Sequence, residues 1–199
     1  MKRTVFVALI ATALLWLCVI SGGCGKKAEC VFHGKDIWEA VRKGTVQDVE
    51  YFIAKGVGVN IEGENSWTPL HFAASYNSRV EVLKYLVSQG ADVHANGWNN
   101  WTPLHGAACS NSNAEVLKYL IEQGIDVNAK DGNGWTPLDC AASRNPNVEV
   151  LKHLIEQGAD VNTKDGDGRA PLDWADTEEK RSILREAMES SKPIVEPTK

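Results

Sequence analysis

Two histidines and two aspartates occupy one position of a regular pattern and are the first candidates for chemistry. His71, His105, Asp139 and Asp173 follow one another at intervals of 34 residues. Imidazole and carboxylate groups are common zinc ligands, and histidine is the most frequent general base. The ligands of one metal ion must converge within a few ångströms, whereas equivalent positions of stacked helical units lie about 8–10 Å apart. The spacing therefore predicts a structural role, and no metal site is expected.

Other patterns that suggest chemistry are incomplete. The segment "DGDGR" from Asp165 is similar to part of a calcium loop, but the third acidic position and the distal glutamate are missing. One period earlier the chain reads "DGNGW" from Asp131, so both segments are interpreted as turns. No serine or cysteine has a histidine base at a recurring position, and no glycine-rich phosphate loop is present. We expect no enzyme activity, no catalytic residues and no cofactor, and an enzyme or a metal-binding protein stays open as an alternative.

The tryptophans give the clearest indication of binding. The segments "WTPLHFAAS", "WTPLHGAAC" and "WTPLDCAAS" begin at Trp67, Trp101 and Trp135, and "RAPLDWADT" begins at Arg169. Equal spacing places the three indoles in one column, and two interpretations of that column stay open. The rings either pack against the next turn and stiffen the stack, or remain partly exposed as anchors, since tryptophan is enriched at interfaces. Trp98 has no counterpart in the other units and is predicted to contact a partner.

The elements that position these residues follow from the 34-residue period. Each segment continues alike, as in "VEVLKYLVSQGADVHA", "AEVLKYLIEQGIDVNA" and "VEVLKHLIEQGADVNT". The T-P-L-H-x-A motif and the glycine-rich turn before it resemble the ankyrin repeat, which is usually 33 residues long. The additional residue lies between the two helices, where "SYNSRV" and "SRNPNV" replace the usual five residues. The resemblance implies an all-α solenoid of helix–turn–helix units joined by β-hairpin fingers.

One block illustrates why this sequence forms such a unit. Thr68 is a suitable N-cap, and Pro69 suits the first helical position, where a missing N–H costs nothing. Leu70 starts an apolar stripe that includes two small alanines, and the next helix has its own apolar face. Gly90 stands where a left-handed residue ends a helix.

The ends of the repeated region differ from its middle, as solenoid ends do. Upstream, "DIWEAVRKGTVQDVEYFIAKGVGVN" follows the template in its 33-residue form without Thr-Pro-Leu-His, and downstream "TEEKRSILREAMESS" is a capped amphipathic helix. About five repeats including two caps are therefore predicted. The expected boundaries are a signal peptide at 1–23, a tether at 24–34, a repeat domain at 35–191 (units 35–66, 67–100, 101–134, 135–168 and 169–191) and a tail at 192–199.

The resemblance also implies where a partner would bind. In the ankyrin family the residue before the capping threonine, the finger tips and the ends of the first helices vary with the partner. On this sequence the protein-binding positions are Trp67, Tyr76, Trp98, Asn99, Trp101, Ser110, Asn133, Trp135, Arg144 and Arg169, with Glu64, Asn65 and Asp167 at the other tips. The family binds proteins through its concave finger face, so the expected partner is another protein rather than a small molecule.

The N-terminal segment predicts export. Lys2 and Arg3 precede the apolar run "VFVALIATALLWLCVI", which is shorter than the roughly 20 residues that span a bilayer, and small residues follow. "ISGGC" resembles a bacterial lipoprotein signal, which implies lipidation of Cys24 and membrane attachment in the periplasm or envelope. Ordinary cleavage and a retained anchor stay open, as does secretion as an effector acting on host proteins.

The net charge bears on nucleic-acid binding, and the cysteine positions bear on disulfide formation. The formal net charge of −5 gives no electrostatic basis for nucleic-acid binding. Cys109 and Cys140 lie where neighbouring repeats carry small or apolar residues, so buried thiols are expected, with a bridge between them as the alternative.

Overall fold

The structure is a computed structural model that describes residue 34 and residues 36–191. The predicted signal peptide 1–23, most of the tether 24–34, lipidation at Cys24 and the tail 192–199 lie outside the described residues. No helix in the described part is long and apolar enough to cross a membrane.

Five pairs of helices follow one another in the described part, where no strand is assigned. Each pair corresponds to one predicted repeat. The helices are α1 (Ile37–Lys43), α2 (Val46–Ala54), α3 (Pro69–Tyr76), α4 (Val80–Ser88), α5 (Pro103–Ser110), α6 (Ala114–Glu122), α7 (Pro137–Arg144), α8 (Val148–Glu156), α9 (Pro171–Trp174) and α10 (Glu178–Ser190). The predicted all-α solenoid with about five repeats is confirmed.

The helix ends lie where capping chemistry predicts them. At α5 the side chain of Thr102 accepts a hydrogen bond from the backbone N–H of His105, and Pro103 fills the first turn. Gly90 follows α4 with a φ of 89°, a left-handed conformation that glycine adopts without steric cost.

The core lies between the two helix layers. The first helices of neighbouring pairs pack on one another, as do the second helices. Leu70, Leu104 and Leu138 repeat one fully buried position of the first helices, and small alanines beside them allow the helices to approach closely. A single repeat could not bury this surface by itself, so stability comes from stacking.

Buried asparagines form a ladder between the helix pairs that the sequence analysis missed. Asn77, Asn111 and Asn145 follow the first helices at the 34-residue period and are buried. The side-chain amide of Asn111 donates to the carbonyls of Ala74 (2.8 Å) and Asn77 (3.0 Å), and its oxygen accepts the N–H of Asn113 (2.9 Å). The recurring asparagine in each turn was the signal for this ladder.

The extra residue of the repeat belongs to the same turns. Three residues separate α3 from α4, whereas two residues, Gly44 and Thr45, separate α1 from α2. Gly44 stands at the ladder position of the first unit and accepts from Asn77 through its carbonyl. At the other end Lys180, almost fully buried, donates to the carbonyl of Ala142 (3.1 Å) and pairs with Asp176 (2.8 Å). The ladder therefore ends on the carbonyl of Gly44 at one side and on the ammonium group of Lys180 at the other.

Four loops, which we call fingers 1 to 4, connect the helix pairs. They comprise residues 57–67, 91–101, 125–135 and 159–169. In each finger one backbone N–H donates to the carbonyl of the last finger residue: Gly63 to Trp67, Gly97 to Trp101, Asp131 to Trp135, and Asp165 to Arg169. A shorter turn bond lies inside each finger, for example from Trp101 to Trp98. The expected β-hairpins are therefore tight turns, with no strand assigned in the described part of the chain.

Candidate protein-binding surface

The recurring histidines hold neighbouring repeats together. The Nδ1 atom of His71 lies 2.9 Å from the hydroxyl of Thr68, and its Nε2 atom lies 3.0 Å from the carbonyl oxygen of Trp101 in the next finger. His105 makes the same contacts with Thr102 and the carbonyl of Trp135. Both ring nitrogens are occupied, and burial lowers the pKa of each imidazole. These side chains therefore link neighbouring repeats by hydrogen bonds.

Among residues 36–191, the aspartates at the same position in later units, Asp139 and Asp173, bond only within their own repeat and not to the next finger. Asp139 accepts hydrogen bonds from the backbone N–H and the hydroxyl of Thr136 through Oδ2, while Oδ1 is buried without a partner. Burial raises the pKa of this carboxyl. No group of three potential metal ligands occurs in the described part of the chain.

Fingers 1 and 2 turn through non-glycine residues in the left-handed region. Asn65 and Ser66 have φ values of 57° and 55°, and Asn99 and Asn100 have values of 61° and 59°. Two consecutive positive φ angles define a type I′ turn, for which asparagine is suited because its short polar side chain tolerates this region. The residue before each turn is free of that constraint: Glu64 in finger 1 and Trp98 in finger 2.

Fingers 3 and 4 are built around an aspartate and two glycines. Oδ1 of Asp131 accepts hydrogen bonds from the backbone N–H groups of Asn133 and Trp135, both at 2.8 Å. Gly134 has a φ of 81°, and its missing Cβ leaves room for the backbone of Gly166. Finger 4 repeats this arrangement, with Asp165 accepting from Asp167 and Arg169.

Neighbouring finger tips touch from finger 2 onwards. The N–H of Gly132 donates to the carbonyl of Asn99 (2.7 Å), and the N–H of Gly166 donates to the carbonyl of Asn133 (2.8 Å). A Cβ at Gly132 would lie 2.0 Å from the side-chain oxygen of Asn99. These two glycines stand at the position that Trp98 occupies in finger 2, so the template leaves no room there for a large side chain in later fingers.

The three column tryptophans are partly buried, and they pack within their own repeats or against the next repeat, as Trp67 does on Gly97. Trp67 lies 5.8 Å from the ring of His71 and 5.1 Å from that of Phe72, and Trp101 lies 5.1 Å from His105. Trp135 lies 4.6 Å from Trp174 at the end of the stack. The column therefore contributes packing, and each indole also keeps an accessible edge.

The other predicted contact residues lie on the same side, on fingers or at the ends of first helices. Trp98 is 69% exposed and Tyr76 is 48% exposed. Exposed residues are also Ser110, Asn133, Arg144 and Arg169, whereas Asn99 is half-buried. Arg144 lies 5.4 Å above the ring of Trp135, and Arg169 lies 4.7 Å above that of Trp174. The structure thus groups the predicted residues, but it shows no bound partner for them.

Two clefts separate the fingers. The first, about 250 Å³, is lined by Asn65, Trp67, Trp98, Asn99, Trp101, Asp131 and Asn133. The second, about 500 Å³, is lined by Trp101, Asp131, Gly132, Asn133, Trp135, Arg144, Asp165, Gly166 and Asp167. Because Trp101, Asp131 and Asn133 line both, the clefts are adjacent. We call them together the finger groove.

An aromatic cluster beside finger 1 was missed by the sequence analysis. Trp38 of α1 lies 5.2 Å from Phe72 of α3, which in turn contacts Trp67 and Tyr76. Arg42 lies 4.7 Å above the ring of Tyr76. A cleft of about 570 Å³ opens next to this cluster. Trp38 lies outside the repeated motif, so periodicity gave no signal for it.

The two cysteines of the repeat domain are buried free thiols, as expected. A hydrogen bond with Cys140 lowers the pKa of Cys109, while burial raises the pKa of Cys140. Neither thiol lies on the surface formed by the fingers.

A comparison with protein families covers most of the stacked helix pairs. A family model described as ankyrin repeats (3 copies) matches residues 14–97, 37–131 and 94–165, which together cover more than half of the chain. The chain belongs to the ankyrin-repeat family. Ankyrin repeats generally bind other proteins and are typically non-enzymatic scaffolds. The comparison with curated proteins finds no significant match.

Proposed function

We propose that this ankyrin-repeat protein binds another protein through the fingers and the ends of its first helices, and that Trp98 is the main anchor. The observation that carries the proposal is the 69% exposure of Trp98 at a finger tip. An exposed indole next to the partly buried Trp67 and Trp101 presents a large apolar surface with little entropy to lose on binding.

A structural role does not account for Trp98. The equivalent positions carry Glu64, Gly132 and Gly166, so the finger can be built with a charge or with no side chain. The indole N–H has no hydrogen-bond acceptor within residues 36–191. Its removal should therefore leave the fold intact and weaken binding.

The test is site-specific photo-crosslinking in intact cells. A benzophenone amino acid replaces Trp98 in one variant and Tyr51 in another. Tyr51 is also exposed (37%), but it lies on α2 in the second helix layer. We expect a discrete protein adduct from position 98 and none from position 51. Equal adducts, or none from either position, would show that the fingers are not the binding surface.

We further propose that the protein is exported and held at the membrane of a bacterial envelope by lipid on Cys24. The basic start, the apolar run and the small residues before Cys24 support this part. Several acyl chains on one cysteine would give stable attachment, since a single chain anchors only marginally.

Detergent phase partitioning tests this second part. The wild type should enter the detergent phase after metabolic labelling with a fatty acid, and Cys24→Ser should be unlabelled and aqueous. Cys30→Ser is the matched control and should behave like wild type. A labelled Cys24→Ser variant, or an unlabelled wild type, would refute lipidation and leave the binding surface unaffected.

A further inference from the structure

The finger groove has a period that a ligand would have to match. Its two clefts are offset by one repeat, because the first is centred between Trp67 and Trp101 and the second between Trp101 and Trp135. Packed helices lie about 8–10 Å apart, so successive clefts are separated by about that distance. A polyproline II helix rises 3.1 Å per residue with three residues per turn, which gives a repeat of about 9.3 Å. Every third residue of such a segment would meet successive clefts.

The walls of the groove suit the surface of such a segment. Indole edges from Trp67, Trp98 and Trp101 provide flat apolar walls, which is the common feature of grooves that bind proline-rich segments. A polyproline II helix makes no internal hydrogen bonds, so its carbonyls need donors. The side-chain amides of Asn65, Asn99 and Asn133 line the first cleft and donate to no acceptor in the described part of the chain.

The first cleft suits a small apolar ring. Its volume is about 250 Å³, and its walls include the indoles of Trp67, Trp98 and Trp101. A ring the size of proline fits such a recess, whereas a larger ligand would extend along the groove.

The charges at finger 1 favour a basic group on the ligand. Glu62 and Glu64 on finger 1 are exposed and form no ion pair within residues 36–191. The second cleft combines Arg144 with Asp131, Asp165 and Asp167, so it carries charges of both signs. A basic side chain of the ligand would therefore be attracted to the two glutamates of finger 1.

We propose that the finger groove binds a proline-rich segment of another protein in the polyproline II conformation, with prolines at every third residue and a basic end lying against Glu62 and Glu64. The proposal rests on the proposed function, because it specifies the partner of the same surface. It assigns the two tryptophan-lined clefts to successive prolines and the asparagine amides to the carbonyls between them.

The test is titration of the full chain in detergent with fluorescein-labelled peptides, followed by anisotropy. The probe peptide has two lysines followed by P-A-A-P-A-A-P. One control has the same composition with prolines at every second residue, and another has two glutamates in place of the lysines. We expect the probe to bind at least tenfold more tightly than either control, and Trp98→Ala to weaken it roughly tenfold or more.

A charge-reversing substitution on finger 1 tests where the basic end of the peptide lies. Glu64→Lys should weaken the lysine-flanked probe several-fold and strengthen the glutamate-flanked peptide, whereas Glu81→Lys, an exposed site on α4 in the second helix layer, should change neither. Equal binding of the in-register and out-of-register peptides would overturn the proposal. If position 98 still cross-links to a protein while no proline peptide binds, the polyproline inference fails and the proposed function stands. If position 98 gives no protein adduct, both the polyproline inference and the proposed function are refuted.

Discussion

The N-terminal and C-terminal halves of the repeat domain carry the same motif but build their fingers differently. Fingers 1 and 2 turn through left-handed Asn and Ser residues, whereas fingers 3 and 4 turn through glycine and are closed by Asp131 and Asp165. The tips of fingers 3 and 4 also bond to the tip of the finger before them. A finger built without these constraints leaves its tip position free, and the chain places Trp98 there.

Asn111→Ala should have the largest effect because it cuts the ladder between the halves. It leaves the buried carbonyls of Ala74 and Asn77 without their side-chain donor, at a cost of about 3–4 kcal/mol. One bond between neighbouring fingers is also missing at this junction: the side-chain oxygens of Asn60 and Asn128 accept N–H groups of the next finger, but His94 stands at that position between fingers 2 and 3. We expect urea unfolding to separate into two transitions. Asn145→Ala, inside the second half, is the control, and a single transition for Asn111→Ala would contradict this expectation.

Gly134→Ala should destabilise the second half by about 3 kcal/mol. The new Cβ would lie 2.9 Å from the backbone nitrogen of Gly166, and alanine at a φ of 81° is strained. Asn100 is the equivalent residue in finger 2 and already adopts a positive φ. Asn100→Gly should therefore change the free energy of unfolding by less than about 1 kcal/mol. Similar losses for both variants in thermal unfolding would mean that the two turn types are equally constrained.

Asp131→Ala should cost about 2 kcal/mol, because two backbone N–H groups of finger 3 lose a carboxylate acceptor. The carboxylate is absent from finger 2, where Gly97 stands at that position. Hydrogen exchange should show faster exchange at Asn133 and Trp135 only. Faster exchange at Trp101 as well would show that the fingers are not independent.

The halves should also differ in their response to pH. Burial lowers the pKa of His71 and His105, so the unfolded chain takes up protons first as the pH falls below its value of about 6.5. Stability contributed by these histidines is complete above that pH and declines below it, by at most about 1.4 kcal/mol per pH unit for each. Asp139 has a raised pKa, which opposes this trend at lower pH. His105→Asp should reduce the slope measured by denaturation between pH 7.5 and 5.5, and an unchanged slope would exclude the histidine as its source.

Trp98→Ala should have the smallest effect on folding, less than about 0.5 kcal/mol, because its side chain is 69% exposed. Trp135→Ala is the contrast in the second half, since that ring packs at 4.6 Å on Trp174 and should cost about 2–3 kcal/mol. Thermal unfolding of the two variants measures the difference. A comparable loss for both would make Trp98 a structural residue.

Much of the fold followed from the printed sequence. The period, the Thr-Pro start of α3, α5 and α7 and the glycine after α2, α4, α6 and α8 are local signals that located these helices. The departures from the motif at both ends located the end units. The turn chemistry was only partly predictable. The asparagine ladder depends on carbonyls some 34 residues away, for example Asn145 on Ala108, and a recurring polar residue in a turn does not by itself indicate a buried one.

The 34-residue period is enough to predict the stacked helix pairs and the shared phase of three tryptophans, because periodicity fixes which side chains face the same neighbour. The exposure of each indole follows only from the folded structure, because it depends on what the adjacent finger places beside the ring. The 34-residue period treats Trp98, Gly132 and Gly166 as equivalent positions. The close backbone approach of finger 2 to finger 3, and of finger 3 to finger 4, is the physical reason that only the first of them carries an exposed ring.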